Sequence, residues 1–128
     1  MNYYISKTIK GIFKETVNNL TTLLKEEGYG ALTKVNVKDI LNKKLDIDYK
    51  NYIILGVCNP HIAVRALQTE DKIGALLPCN VIVIDQGEGN IEITFMSAEH
   101  LLHLTGNPAL ELLAREVNNS LSLVLDKL

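Results

Sequence analysis

The chain has 128 residues, of which 47% are hydrophobic and 22% are charged, and its formal net charge is −2 at pH 7. This weak negative charge argues against a dedicated nucleic-acid binder, which normally carries a basic surface. No apolar run reaches the roughly 18 residues of a membrane span, and the N-terminus does not read as a signal peptide. We therefore expect one domain over residues 1–128 that contacts neither nucleic acid nor membrane, in the cytoplasm, where its two cysteines stay reduced.

The first part of the chain alternates between strand-like and helix-like patterns. Residues 2–10 alternate and predict a strand, and from Gly11 the apolar period lengthens to that of a helix over 11–27. Gly28 is a natural residue to follow a helix C-terminus. A second strand over 31–37 and a short amphipathic helix over 37–45 follow.

The middle of the chain carries its most continuous apolar run. Residues 51–58 predict a central strand that is buried on both faces. Asn59 is a preferred N-cap residue and Pro60 is favoured at the first helical position, so a helix is expected to begin there and to end before Gly74.

The last part of the chain predicts a hairpin followed by helices. The glycine-containing segment 86–90 is typical of a turn between two paired strands, and Ser97 is a candidate helix cap. These elements are strands over 79–85 and 91–96 and helices over 98–104 and 108–127. The final helix carries an apolar stripe that must face a sheet or a partner, formed by Leu110, Leu113, Val117, Leu121, Val124 and Leu128. The order of elements predicts an α+β fold: an antiparallel sheet of about five strands backed by two long helices on one face.

The best candidate site is formed by the two cysteines. They occur in Cys58-Asn59-Pro60-His61 and in Pro78-Cys79-Asn80. If the strands that end at Cys58 and begin at Cys79 are antiparallel neighbours, the two thiols lie within several ångströms of each other. The positive end of the following helix could lower the pKa of Cys58, which lies two residues before Pro60.

Several functions are compatible with this pair. The thiols could be redox-active or carry sulfur as a persulfide, or they could bind a soft metal such as Cu(I) or Zn together with His61. The helix amides and Arg65 could instead hold a small anion. Both cysteines adjoin apolar runs, so they could also be inert packing residues of a purely structural or protein-interaction domain. We favour a small-molecule or soft-metal binding module whose site is formed by Cys58, Asn59, His61, Arg65, Cys79 and Asn80.

A second candidate site lies on the short helix after the hairpin. His100 and His103 are three residues apart and Glu99 and His103 are four apart, so each pair can share a helix face. Two histidines and a carboxylate could bind zinc, although an ordinary solvated helix also explains them.

Two strings of sequence resemble the bacterial and archaeal domain-of-unknown-function 302 family. They are Gly-Val-Cys-Asn-Pro-His-Ile-Ala-Val-Arg-Ala-Leu at 56–67 and Ile-Gly-Ala-Leu-Leu-Pro-Cys-Asn-Val-Ile-Val at 73–83. Supporting matches are Glu27-Gly28-Tyr29-Gly30 and Gly106-Asn107-Pro108. The resemblance implies a fold similar to that of the TATA-box-binding protein, built as a homodimer, and it implies no established activity or cofactor.

Overall fold

The computed structural model describes residues 2–128 and contains one five-stranded antiparallel sheet. The strands are β1 (Tyr4–Lys10), β2 (Gly30–Asn36), β3 (Tyr52–Cys58), β4 (Cys79–Asp85) and β5 (Asn90–Met96). The α-helices are α1 (Phe13–Glu26), α2 (Val37–Leu45), α3 (Pro60–Thr69), α4 (Ala98–His103) and α5 (Glu111–Asp126). Two 3-10 helices, Asp71–Leu76 and Pro108–Leu110, complete the described elements. The predicted α+β fold, with its sheet and two long helices, is confirmed.

The strand order across the sheet is β1-β5-β4-β3-β2, so β4 is the central strand. The prediction that the 51–58 strand is central and buried on both faces was therefore wrong in part, because β3 lies between β4 and the edge strand β2. Its alternate residues Ile53, Leu55 and Val57 are buried in the core, whereas Tyr52 and Ile54 on the opposite face are half-buried. The long helices cover only the sheet face that carries Ile53, Leu55 and Val57.

The C-terminal end of α1 leads directly into the core. Gly28 has a φ of 89°, and its N–H donates to the Lys25 carbonyl, while the N–H of Tyr29 donates to the Leu24 carbonyl. This pair of hydrogen bonds defines a Schellman motif, in which the residue after the glycine contacts the last turn of the helix. Tyr29 is consequently buried, with 2% of its surface exposed.

The apolar stripe of the last helix faces the sheet. Leu113, Val117, Leu121 and Val124 are all buried in the core cluster. Of the two predicted alternatives, a sheet or a partner, the stripe faces the sheet, and it needs no second subunit to bury it. The helix also begins later than predicted, because Pro108–Leu110 is a 3-10 helix and α5 starts at Glu111.

Two local predictions have different outcomes. The helix that begins at Pro60 ends at Thr69, before Gly74 as predicted, because Glu70 is extended, and Gly74 lies inside a separate 3-10 helix. Ser97 precedes α4 but its side chain makes no capping hydrogen bond to the backbone; its hydroxyl contacts a histidine and an asparagine side chain instead. None of the helices among residues 2–128 is long and apolar enough to cross a membrane.

Candidate functional site

The two cysteines lie at adjacent strand ends, as the sequence predicted. In the antiparallel register of β3 and β4, Cys79 lies opposite Val57, the residue before Cys58. On its other side Cys58 lies opposite Gly30 of β2. Both thiols are free and both side chains are half-buried. The sheet register alone therefore holds the two cysteines at one end of two neighbouring strands.

Both cysteines line one small apolar cavity, which we call the cysteine cavity. Its volume is about 40 Å³, enough for one or two water-sized molecules. Its walls come from β3, α3, the 3-10 helix before β4, and the helices α4 and α5. The lining contains no Asp, Glu, Lys, Arg or His side chain. Besides the cysteines, it includes Tyr29, Ile62, Ile73, Leu77, Leu101 and Val117.

The environment of Cys79 favours the neutral thiol. Burial, and to a smaller extent the negative charge of a Cys58 thiolate, raises the pKa of Cys79 from 9.0 to about 11. Cys79 is therefore protonated at neutral pH. An activated thiolate, which nucleophilic chemistry requires, is disfavoured at this position.

Asn59 connects the end of β3 to the start of α3. Its side-chain Oδ1 accepts a hydrogen bond of 3.1 Å from the N–H of His61, and Pro60 occupies the first turn. The predicted cap is thus confirmed. Asn59 also lines the cysteine cavity and lies against Gly28, where a Cβ would come within 3.0 Å of its Nδ2.

Three of the predicted site residues point elsewhere. His61 is exposed at the surface of α3 and does not line the cysteine cavity. The Arg65 guanidinium donates two hydrogen bonds, of 2.9 and 3.2 Å, to the Glu116 carboxylate on α5. Asn80 is exposed and lies opposite Gly56 in the sheet. The structure therefore brings together Cys58, Asn59 and Cys79, but not the other three residues.

The described residues contain no preformed metal site. Among residues 2–128, no group of three or more His, Cys, Asp or Glu side chains is placed to hold a metal ion. Cys58 and Cys79 are the soft ligands that share a cavity, and His61 does not join them. On α4, the Nδ1 atom of His100 lies 2.8 Å from Ser97 Oγ, while Glu99 and His103 line a separate cleft.

Sequence reasoning did not identify Tyr29 as part of the site. Its hydroxyl lies 2.6 Å from Ser120 Oγ on α5, and burial, partly offset by this hydrogen bond, raises its pKa. An aromatic residue directly after a helix-ending glycine is the available signal, because that position packs back onto the helix. The walls from α4 and α5, such as Leu101 and Val117, carry no local signal because they lie far away along the chain.

The chain matches the family model described as "Domain of unknown function DUF302" over residues 5–128. It therefore belongs to this family, whose fold and cysteine-containing strings the sequence had indicated. A crystal structure described as an uncharacterized conserved protein DUF302 from Bacillus stearothermophilus is similar, with a TM-score of 0.91 and 30% sequence identity. The similarity covers 98% of each chain. No curated protein matches the sequence.

Proposed function

We propose that this protein binds a small, neutral, apolar molecule in the cysteine cavity. The observation that carries the proposal is that Cys58 and Cys79, which are distant in sequence, line the same cavity. A cavity with two thiols and otherwise mostly apolar walls selects ligands by shape and by contact with polarizable sulfur.

The charge distribution supports a neutral ligand. No ionisable Asp, Glu, Lys, Arg or His side chain lines the cavity, and Cys79 is protonated at neutral pH. An ion that entered would lose its hydration without gaining a partner of opposite charge, which is costly. This argues against one alternative from the sequence, a small anion held by Arg65, because the Arg65 guanidinium is hydrogen-bonded to Glu116.

Native mass spectrometry of protein purified without oxygen or chelator tests the proposal. We expect extra mass on the wild-type protein and its loss from the Cys58→Ser/Cys79→Ser variant. His61→Ala is the matched control, because His61 adjoins the same segment but lies outside the cavity, and it should retain the mass. The same extra mass on the wild type and the double variant, or no extra mass on the wild type, would contradict the proposal.

A sulfur-carrier function is the second candidate, because both thiols are free and share a cavity. In this function the Cys58 thiolate attacks the outer sulfur of a low-molecular-weight persulfide, whose S–S bond breaks and whose remainder leaves as a thiol. Cys58 then carries a persulfide beside the Cys79 thiol. Incubation with glutathione persulfide should add one sulfur atom to Cys58 in wild type, and no addition would exclude this function.

We also propose that the protein is a cytoplasmic homodimer that associates through the sheet face opposite α1 and α5. This face and the segment beside it expose several large apolar side chains, among them Tyr4, Val35, Ile47 and Tyr49, which is typical of an interaction surface. Light scattering at micromolar concentration should give twice the mass of the chain. Val35→Lys should shift that mass toward the monomer, and a monomeric wild type would contradict the dimer.

A further inference from the structure

We propose that the groove between α1 and the free edge of β2 binds an extended acidic peptide, which adds to the sheet as a sixth strand beside the five strands described above. The groove has a volume of about 520 Å³. Its floor includes Val17 and Leu55, and its walls come from α1 and β2. This binding site is separate from the cysteine cavity and does not depend on the function proposed for it.

The unpaired backbone groups at the outer edge of β2 favour an extended peptide as the partner. Within residues 2–128, β2 pairs with β3 on one side only, so alternate N–H and C=O groups face outward on the other. An incoming strand satisfies these groups, whereas a small molecule or a helix does not. The groove is therefore suited to a peptide in β conformation.

A bulge interrupts the regular pairing at the start of β2 but leaves the rest of its outer edge available for pairing. Ala31 lies opposite Val57 and Thr33 lies opposite Gly56, so Leu32 is the extra residue of the bulge. The side chain of Leu32 is 66% exposed and lines the groove. Bulges commonly protect edges, but this one lies at the start of β2. Regular pairing continues through Asn36, which leaves a stretch of edge available to a partner.

The charge of the groove specifies an acidic peptide. Lys34 lines the groove, and no Asp or Glu does. At about 100° per residue, Lys25 falls within the arc of α1 that Val17 and Thr22 define, whereas Lys14 lines a separate pocket with Asp85 and Glu88. Within residues 2–128, neither Lys25 nor Lys34 forms an ion pair. Their positive charges therefore remain available for a partner.

The other edge of the sheet does not offer the same combination. On β1, Lys7 Nζ donates hydrogen bonds of 2.9 Å to the carbonyls of Leu125 and Leu128, and Lys10 Nζ donates to the Glu88 carbonyl. The two lysines of β1 are thus already hydrogen-bonded to backbone carbonyls of the same chain. A second copy is also a poor occupant of the β2 edge, because pairing β2 with its own copy would bring two sets of groove lysines together.

Fluorescence anisotropy with a labelled peptide of about seven residues, in which glutamate and valine alternate, tests the proposal. We expect binding at low salt that weakens by about tenfold or more in the Lys25→Glu/Lys34→Glu variant. Lys43→Glu/Lys44→Glu on α2 makes the same change in net charge away from the groove and should bind like wild type. Equal weakening in both variants, no binding by wild type, or equal binding of a lysine–valine peptide would overturn the proposal.

Backbone N-methylation of the peptide tests strand addition separately from charge. Methylating alternate amides on one peptide edge should abolish binding, while methylating the amides of the other edge should preserve it, because one edge only pairs with β2. Equal effects of both patterns would overturn strand addition. Self-association of the wild type that the peptide disrupts, and that the Lys25→Glu/Lys34→Glu variant lacks, would instead assign the groove to a second copy and overturn the peptide proposal.

Discussion

Cys58 and Cys79 line one cavity, and the negative charge of a Cys58 thiolate is the second cause, after burial, of the raised pKa of Cys79. The pair is therefore asymmetric. Cys79 is held as a thiol against the core, and Cys58 lies at the junction with α3, beside the cap residue Asn59. Thiolate chemistry is therefore disfavoured at Cys79.

Alkylation of the native protein should distinguish the two cysteines. With a pKa of about 11, Cys79 is about one-thousandth thiolate at pH 8, roughly a hundredfold less than a cysteine with a pKa of 9.0. Iodoacetamide should therefore modify Cys79 far more slowly in native protein than in urea-unfolded protein, as measured by mass spectrometry of the Cys79 peptide. Equal rates in the two states would contradict the burial of this thiol.

The same pKa predicts how stability depends on pH. Between about pH 9 and pH 11 the unfolded chain loses the Cys79 proton while the native protein keeps it, so the free energy of unfolding falls as pH rises. The loss is on the order of 2 kcal/mol by pH 11. The raised pKa of Tyr29 acts in the same direction, and the difference between wild type and Cys79→Ala isolates the cysteine. In urea unfolding, the free energy of unfolding of the variant should decline less steeply with pH than that of the wild type. Parallel declines in the two proteins would contradict the raised pKa of Cys79.

Gly56 should be required by the close packing of the sheet beside the site. A Cβ at this position would come within 2.8 Å of Pro78 Cγ and still closer to Thr33 Oγ1. Gly56→Ala is expected to lower the free energy of unfolding by about 2–3 kcal/mol because its neighbours must move. Gly74→Ala is the control, since a Cβ there meets nothing within 4 Å. Equal stability of the two variants would show that the sheet accommodates the methyl group.

Asn118 should stabilise the junction of α4 and α5. Its Oδ1 accepts a 2.7 Å hydrogen bond from the Ala98 N–H, and its Nδ2 donates to Ser97 Oγ at 3.1 Å. Asn118→Leu leaves the buried Ala98 N–H without its partner, while Ser97 Oγ keeps only its contact with His100 Nδ1. The variant should cost about 1–3 kcal/mol in chemical denaturation. Asn119→Leu alters the exposed neighbouring position and should change stability little. A comparable loss in both variants would argue against the specific role of the hydrogen bonds.

Signals that act over a few residues predicted much of the fold. Gly28 and the Asn59-Pro60 cap mark element ends because their backbone preferences are local. The position of β3 in the sheet was predicted incorrectly, since a continuous apolar run does not distinguish the central strand from its neighbour.

The candidate site was predicted only where strand pairing decides it. The antiparallel register of β3 and β4 brings Cys58 and Cys79 to one end of the sheet, as the order of elements indicated. The orientation of the Arg65 side chain depends on its hydrogen bonds to Glu116, 51 residues away in sequence. The cavity walls depend on how α5 packs. Such contacts have no signature in the neighbouring sequence.

Methyl NMR under xenon pressure shows whether the cysteine cavity admits an apolar ligand, because xenon binds apolar cavities in proteins. We expect saturable shifts at the cavity methyl groups of Ile62, Ile73 and Leu101. These shifts should disappear in Ala66→Val, which fills the cavity from α3. Shifts confined to the exposed face of the sheet, or unchanged shifts in Ala66→Val, would contradict a ligand-accessible cavity between Cys58 and Cys79.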